Sequence, residues 1–86
     1  FMLRFLRRNF SSVKLYLSPR RFLQSAPRRG VIFYMRRDFS AHYTAFTAAS
    51  DGKLRFYNYR GAGFTQPPAD FFSEKDRRFF LCYSVE

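Results

Sequence analysis

Two hydrophobic periods divide the chain. Placed on a helix, Met2, Phe5, Leu6, Phe10, Val13, Tyr16 and Leu17 share one side, and Arg4, Arg7, Arg8 and Lys14 the other, with Leu15 the exception. That pattern predicts an amphipathic helix over residues 2–17. After Gly30 the period shortens to two. "VIFYMRR" sets Val31, Phe33 and Met35 against Ile32, Tyr34 and Arg36, and its β-branched and aromatic content predicts a strand. "AHYTAFTA" is a second, less regular strand candidate. "LRFYNYR" is a third, with Leu54 and Phe56 opposite Arg55, Tyr57 and Tyr59. "SDGK" joins these two through a tight turn at Asp51-Gly52. "FFLCYSV" reads as a closing strand.

The stretches between them read as irregular. In "SPRRFLQSAPRRG", Pro19 and Pro27 interrupt any helix and push the preceding residue toward extended geometry. "RRFLQSA" between them has room for one turn, so residues 18–30 are expected to be an extended arm. "GAGFTQPP" reads as a loop. "ADFFSEKDRRFF" contains a short helix, with Asp70 or Ser73 as the cap at its start; Ser73 and Asp76 have capping-box spacing. The expected fold is α+β: a small antiparallel sheet of about three to four strands with one short helix, preceded by an extended basic arm that starts as an amphipathic helix. The division falls at residue 30, with a basic arm over 1–30 and a small β-rich domain over 31–86.

Charge sharpens that division. The net charge is +10, and residues 1–37 carry ten cations and no acid, whereas residues 38–86 carry six cations and six acids. Such asymmetry points to a folded part bearing a basic arm for an anionic partner. Arginine outnumbers lysine thirteen to three. A guanidinium grips phosphate with two parallel hydrogen bonds and stacks on a base, which an ammonium does not. The same bias also arises from compositional habit of a source genome.

The remaining composition bounds the alternatives. At 86 residues with 13 Phe and 6 Tyr, a thin core has more large rings than it can bury, and rings left outside call for a partner. The single cysteine, Cys82, excludes an internal disulfide and a zinc site built on cysteine pairs. The longest uncharged run, Phe39 to Ser50, is twelve residues, short of the ~20 that span a bilayer, so no transmembrane segment is expected. The leader bears Arg and Ser, no acid, and an amphipathic pattern, and it resembles a mitochondrial presequence. "RNFS" at 8–11 is similar to a matrix-peptidase site. The expectation is that the leader is nonetheless retained and held by a partner. Phe1 stands ahead of Met2 and is not an initiator, so the start is expected upstream unless Phe1 is an addition.

No catalytic residue, metal ligand or cofactor is expected. His42 is the lone histidine, and Ser40 and Cys82 have no spacing that implies contact with it. The acids are scattered, with no pair at ligand spacing beside a His. Gly61-Ala62-Gly63 lacks the third glycine and the helix start of a dinucleotide loop.

Interleaved arginine and aromatic residues are the one constellation that points to chemistry. Arg55, Tyr57, Tyr59 and Arg60 suit stacking of unpaired bases with phosphates held alongside, unless those tyrosines pack under a neighbouring element. Arg4, Arg7, Arg8, Lys14, Arg20, Arg21, Arg28, Arg29, Arg36 and Arg37 suit phosphate binding by charge alone. The expected function is a non-enzymatic, structural RNA-binding subunit: a small mitochondrial ribosomal protein of the matrix, contacting rRNA and neighbouring proteins. Small basic chains of this kind look like ribosomal proteins in general, and no particular family is matched. The alternative is a peripheral accessory subunit of an inner-membrane respiratory or ATP-synthase complex, with residues 2–17 on the anionic leaflet.

Overall fold

The computed structural model describes residues 1–58 and 60–86. Among them the chain forms six strands and three α-helices: α1 (Met2–Asn9), β1 (Val13–Tyr16), α2 (Pro19–Ser25), β2 (Arg29–Arg36), β3 (Ala41–Ala48), β4 (Leu54–Tyr57), β5 (Gly63–Gln66), α3 (Pro68–Ser73) and β6 (Arg77–Val85). One antiparallel sheet holds every strand, in the order β1-β6-β2-β3-β4-β5. The class is α+β, but three to four strands and one short helix understate it. The extended basic arm is not extended either: residues 13–16 are an edge strand and residues 19–25 a helix.

Local chemistry explains each correction. The helix expected over 2–17 stops at Asn9, whose side-chain amide donates back to the Phe5 carbonyl at 2.8 Å. The Ser11 and Ser12 N–H groups then bond the Glu86 carbonyl at 3.0 and 3.4 Å, and Glu86 N–H returns a bond to Ser12 at 3.0 Å. These contacts launch β1 in register, with Val13 opposite Val85. Pro19 starts a helix rather than preventing one. It occupies the first turn, where its missing N–H is not needed, and Ser18 caps it by accepting from the Arg21 N–H at 3.3 Å. The helix ends at Ala26, which turns left-handed (φ 48°) ahead of Pro27.

"GAGFTQPP" hides β5, an edge strand of four residues. Gly63 lies so close to β4 that a Cβ would collide with the Phe56 carbonyl. α3 begins at Pro68 after a Pro67 cap, not at Asp70 or Ser73. Ser73 is its last residue, and its hydroxyl donates to the Asp70 carbonyl at 3.0 Å. The hairpin about Asp51-Gly52 is present as β3–β4, joined through a 3-10 turn at Ser50–Gly52 in which Asp51 and Gly52 have φ of 60° and 73°.

The core lies mainly on one face of the sheet. Ile32, Tyr34, Phe46, Leu54, Phe56 and Cys82 point there and are closed over by Phe22 of α2 and Phe71 of α3. Phe71 stacks on Phe56 with centroids 4.2 Å apart and planes 11° from parallel. The Arg77 guanidinium sits 4.1 Å from the Phe71 ring centroid and donates to the Phe71 carbonyl at 3.0 Å, which fastens the end of α3. Phe22 meets Tyr16, Phe46 and Phe72 edge to face at 5.9, 5.2 and 5.3 Å. On the opposite face α1 covers only the β1–β6–β2 side. There Leu6, helped by Met2, Leu3 and Phe10, packs with Val13, Val31, Leu81, Tyr83 and Val85.

Phe22, from the segment expected to be an arm, is 1% exposed. Phe22→Ala therefore removes a fully buried ring and is expected to lower the unfolding free energy by roughly 3–5 kcal/mol in urea titrations. A detached arm would leave the midpoint unchanged. Cys82 is fully buried, and burial pushes its thiol up to about 12. Burial disfavours the thiolate, so a disulfide-exchange reagent at pH 8 is expected to label Cys82 only as fast as the protein opens, and promptly in denaturant.

Candidate nucleic-acid interface

Register places three cross-strand rows on the face that α1 half covers. Arg29, Thr47, Arg55 and Thr65 lie side by side across β2 to β5. The next row is Val31, Ala45, Tyr57 and Gly63, and the third is Phe33 and Tyr43. Side chains alternate along each strand, so the buried residues Ile32, Thr44, Phe46, Leu54 and Phe56 point the other way. Tyr43, Ala45, Thr47, Arg55 and Thr65 are exposed, while Phe33 and Tyr57 are half-buried.

This face is aromatic at one side and cationic at the other. The Tyr43 ring lies 5.1 Å from Phe33. The Tyr57 hydroxyl is 3.2 Å from Thr47 Oγ1. Arg55 extends 5.5 Å from the Tyr57 ring and reaches Thr65 Oγ1 at 3.4 Å. Arg29 lies 5.5 Å from the ring of Phe10, just past the end of α1. Tyr83 neighbours Tyr43 on this face. Its phenol pKa is raised by burial first, then by the nearby Tyr43 and Cys82.

The other cations expected to bind RNA are dispersed over the body. Arg4, Arg7 and Arg8 stand exposed on α1, where with Phe1 and Leu3 they line a shallow hollow. Lys14, Arg28 and Arg29, with Glu86 and the end of α2 at Ser25 and Ala26, line a cleft of about 560 Å³ where β1, β6 and β2 end together. Arg20 and Arg21 are exposed in the first turn of α2, on the opposite layer. The positive end of a helix dipole disfavours cations, so these two arginines do not serve the helix. Arg36 and Arg37 lie at the far end of β2, where Asp76 accepts from the Arg36 guanidinium and from the Arg37 N–H, both at 3.4 Å. Arg60 lies in the β4–β5 turn, its N–H bonded to Asn58 Oδ1 at 2.8 Å. Tyr59 lies outside the described residues.

The fold thus gathers Arg29, Arg55 and Tyr57 on one face, whereas Lys14 and Arg28 line the cleft beside α2. It sets Arg4, Arg7 and Arg8 on the helix beside that face, and it does not bring Arg20, Arg21, Arg36 or Arg37 to it. Phe33, Tyr43 and Thr47 join the face unforeseen. Alternation in "AHYTAFTA" already puts Tyr43, Ala45 and Thr47 on one side; the missing information is the pairing that aligns them with β2 and β4.

Carboxylates do little to neutralise the leader. Of the ten cations in residues 1–37, Arg36 alone lies within ion-pair distance of a carboxylate among the described residues. Asp38 is engaged locally: it accepts from the Ser40 hydroxyl at 2.6 Å and the Ser40 N–H at 3.0 Å, and these bonds hold its carboxyl below the usual range.

Ser40 does meet His42, with Oγ 2.9 Å from Nε2. The Ser40 hydroxyl also donates to Asp38 Oδ1 at 2.6 Å, so it is shared between that carboxylate and the ring. Among the described residues no group of three or more His, Cys, Asp or Glu is placed to hold a metal ion. No helix among them is long and apolar enough to cross a membrane. Gly61 takes its positive φ (83°) in the β4–β5 turn, and Gly63 belongs to β5, so the two glycines serve strand pairing. Comparison with protein-family models, characterised proteins and solved structures finds no match to this chain.

Proposed function

We propose that this protein is a non-enzymatic RNA-binding subunit of a large ribonucleoprotein, a small ribosomal protein of the mitochondrial matrix with rRNA and neighbouring proteins as partners. The observation that carries the reading is the leader's un-neutralised charge: ten cations held on a folded surface, one at ion-pair distance from a carboxylate among the described residues. Like charges fixed on a compact body repel, and a polyanion relieves that repulsion while releasing its own counterions. Arg20 and Arg21 add a local version of the argument, because they oppose the dipole of the helix that bears them. The mitochondrial placement rests on the acid-free, Arg- and Ser-bearing composition of residues 1–17.

RNA would meet a body here, not a threading arm. The outer side of α1, the Lys14–Arg28–Arg29 cleft and the first turn of α2 are separate contact points on one rigid framework. A second reading has one observation in its favour: Phe5 is 52% exposed on α1 beside Arg4 and Arg8, an arrangement that suits an anionic membrane surface.

Fluorescence anisotropy with a labelled rRNA fragment at several salt concentrations tests the proposal. Contact with four or more phosphates is expected to give a log–log salt slope of roughly −3 or steeper. Arg28→Gln with Arg29→Gln is expected to make the slope shallower by about 1–2. Salt-independent or undetectable RNA binding, together with salt-sensitive capture by cardiolipin-bearing vesicles, would instead establish the membrane-surface reading.

A further inference from the structure

We propose that the uncovered half of the sheet, centred on Tyr43 and Tyr57, is a stacking platform for unpaired RNA bases. The inference rests on the RNA-binding reading and deepens it by naming the form of RNA that this face takes. Three observations converge on it.

The first is shape. α1 reaches across β1 and β6 as far as Val31 of β2, and among the described residues no helix packs over β3 and β4 on that side. The residues between the rings are small: Ala45 separates Tyr43 from Tyr57, and Thr47 lies beyond. The rings therefore rise from a low floor. Tyr57 pairs with Ala45, so Tyr43 is its diagonal neighbour, about 7–8 Å away at the backbone. That separation accommodates two successive bases, one on each ring.

The second is charge. The face's rows contain Arg29 and Arg55 and no carboxylate. Bases on the tyrosines would trail their phosphodiesters toward these arginines. Phosphate complementarity along one border, with flat rings inside it, matches a nucleotide strand on an aromatic surface. An apolar protein surface would match the rings and leave the arginine row without partners.

The third is the state of the rings. Tyr43 remains 47% exposed although Phe33 supports it from the side. Tyr57 is held in place by Thr47 and Arg55. A fixed ring loses little further freedom on stacking, which favours binding. Bases inside a duplex are already stacked on their neighbours and cannot reach the platform. The face is thus selective for single strands, whereas the dispersed cations on α1 and α2 accept any phosphate backbone.

Anisotropy with a labelled single strand of roughly 12 nucleotides, alone and annealed to its complement, separates the two levels. The intact chain is expected to bind the single strand more tightly. Tyr43→Ala is expected to weaken single-strand binding by about fivefold or more and duplex binding by less than about twofold, with Tyr43→Phe close to wild type. The chain has no tryptophan, so Y43W supplies a sole indole whose emission should be quenched by the single strand and not by the duplex. Equal single-strand and duplex affinities, insensitivity to Tyr43→Ala and unquenched indole emission would overturn the platform while leaving phosphate binding intact. Failure of either RNA to bind at low salt would overturn both readings.

Discussion

A sheet has two faces, and the three helices of the described residues do not cover both. Helices of 8, 7 and 6 residues must shield six strands. The two shorter ones go to the same face, where Phe22 and Phe71 fill the space above Phe46 and Phe56 with rings rather than with length. That economy leaves α1 alone on the other face, and one helix shields about two or three strands at ~10 Å helix width against ~4.8 Å strand spacing. The open aromatic patch over β3 and β4 thus follows from how these three helices are distributed, two on the core face and one on the other.

Arginine has two distinct uses here, and the contrast gives the charge argument its force. Arg77 is half-buried, stacks against Phe71 and donates to the Phe71 carbonyl, so it holds α3 to the sheet. Arg36 meets Asp76 across the β2–β6 ladder. These two do structural work within the fold. Arg4, Arg7, Arg8, Arg20, Arg21 and Arg28 stand exposed with no carboxylate at ion-pair distance among the described residues. Cations that neither pack nor pair raise the electrostatic free energy of the compact state, which makes an external polyanion their natural complement.

The sequence shows periodicity well and pairing poorly. β2 and β4 are legible because each alternates around a buried set, β6 because "FFLCYSV" is a short apolar and aromatic run, and the hairpin at Asp51-Gly52 because that dipeptide supplies the left-handed turn. What escapes is what depends on distant residues. β1 is too short to declare itself, and its apolar residues fit a helical period equally well; it is a strand because Ser11 and Ser12 are tied to Glu86. β5 is concealed by its glycines, although Gly63 is there because β4 passes too close for a Cβ. Pro19 was legible in principle, since Ser-Pro ahead of an apolar turn is a helix start as readily as a helix stop. At the candidate site Arg55 and Tyr57 could be read from one strand, whereas Tyr43 and Phe33 required knowing that β3 lies between β2 and β4.

The placement of β6 joins these points. By entering between β1 and β2, it makes the leader part of the sheet, so α1 and β1 cannot detach without breaking the β1–β6 ladder and exposing Leu6, Tyr83 and Val85. A flexible basic tail would have to lose conformational freedom each time it met a phosphate chain. Here much of that loss has already occurred on folding, where burial of Leu6 and Phe22 offsets it. The leader's Arg29 therefore keeps a fixed place in the Arg29–Thr47–Arg55 row beside Tyr57, and the proposed nucleotide strand would meet that row and the exposed rings together. Charge concentrated in the first 37 residues and aromatic surface contributed by the next 20 share one rigid body because β6 joins β1 to β2 in the same sheet.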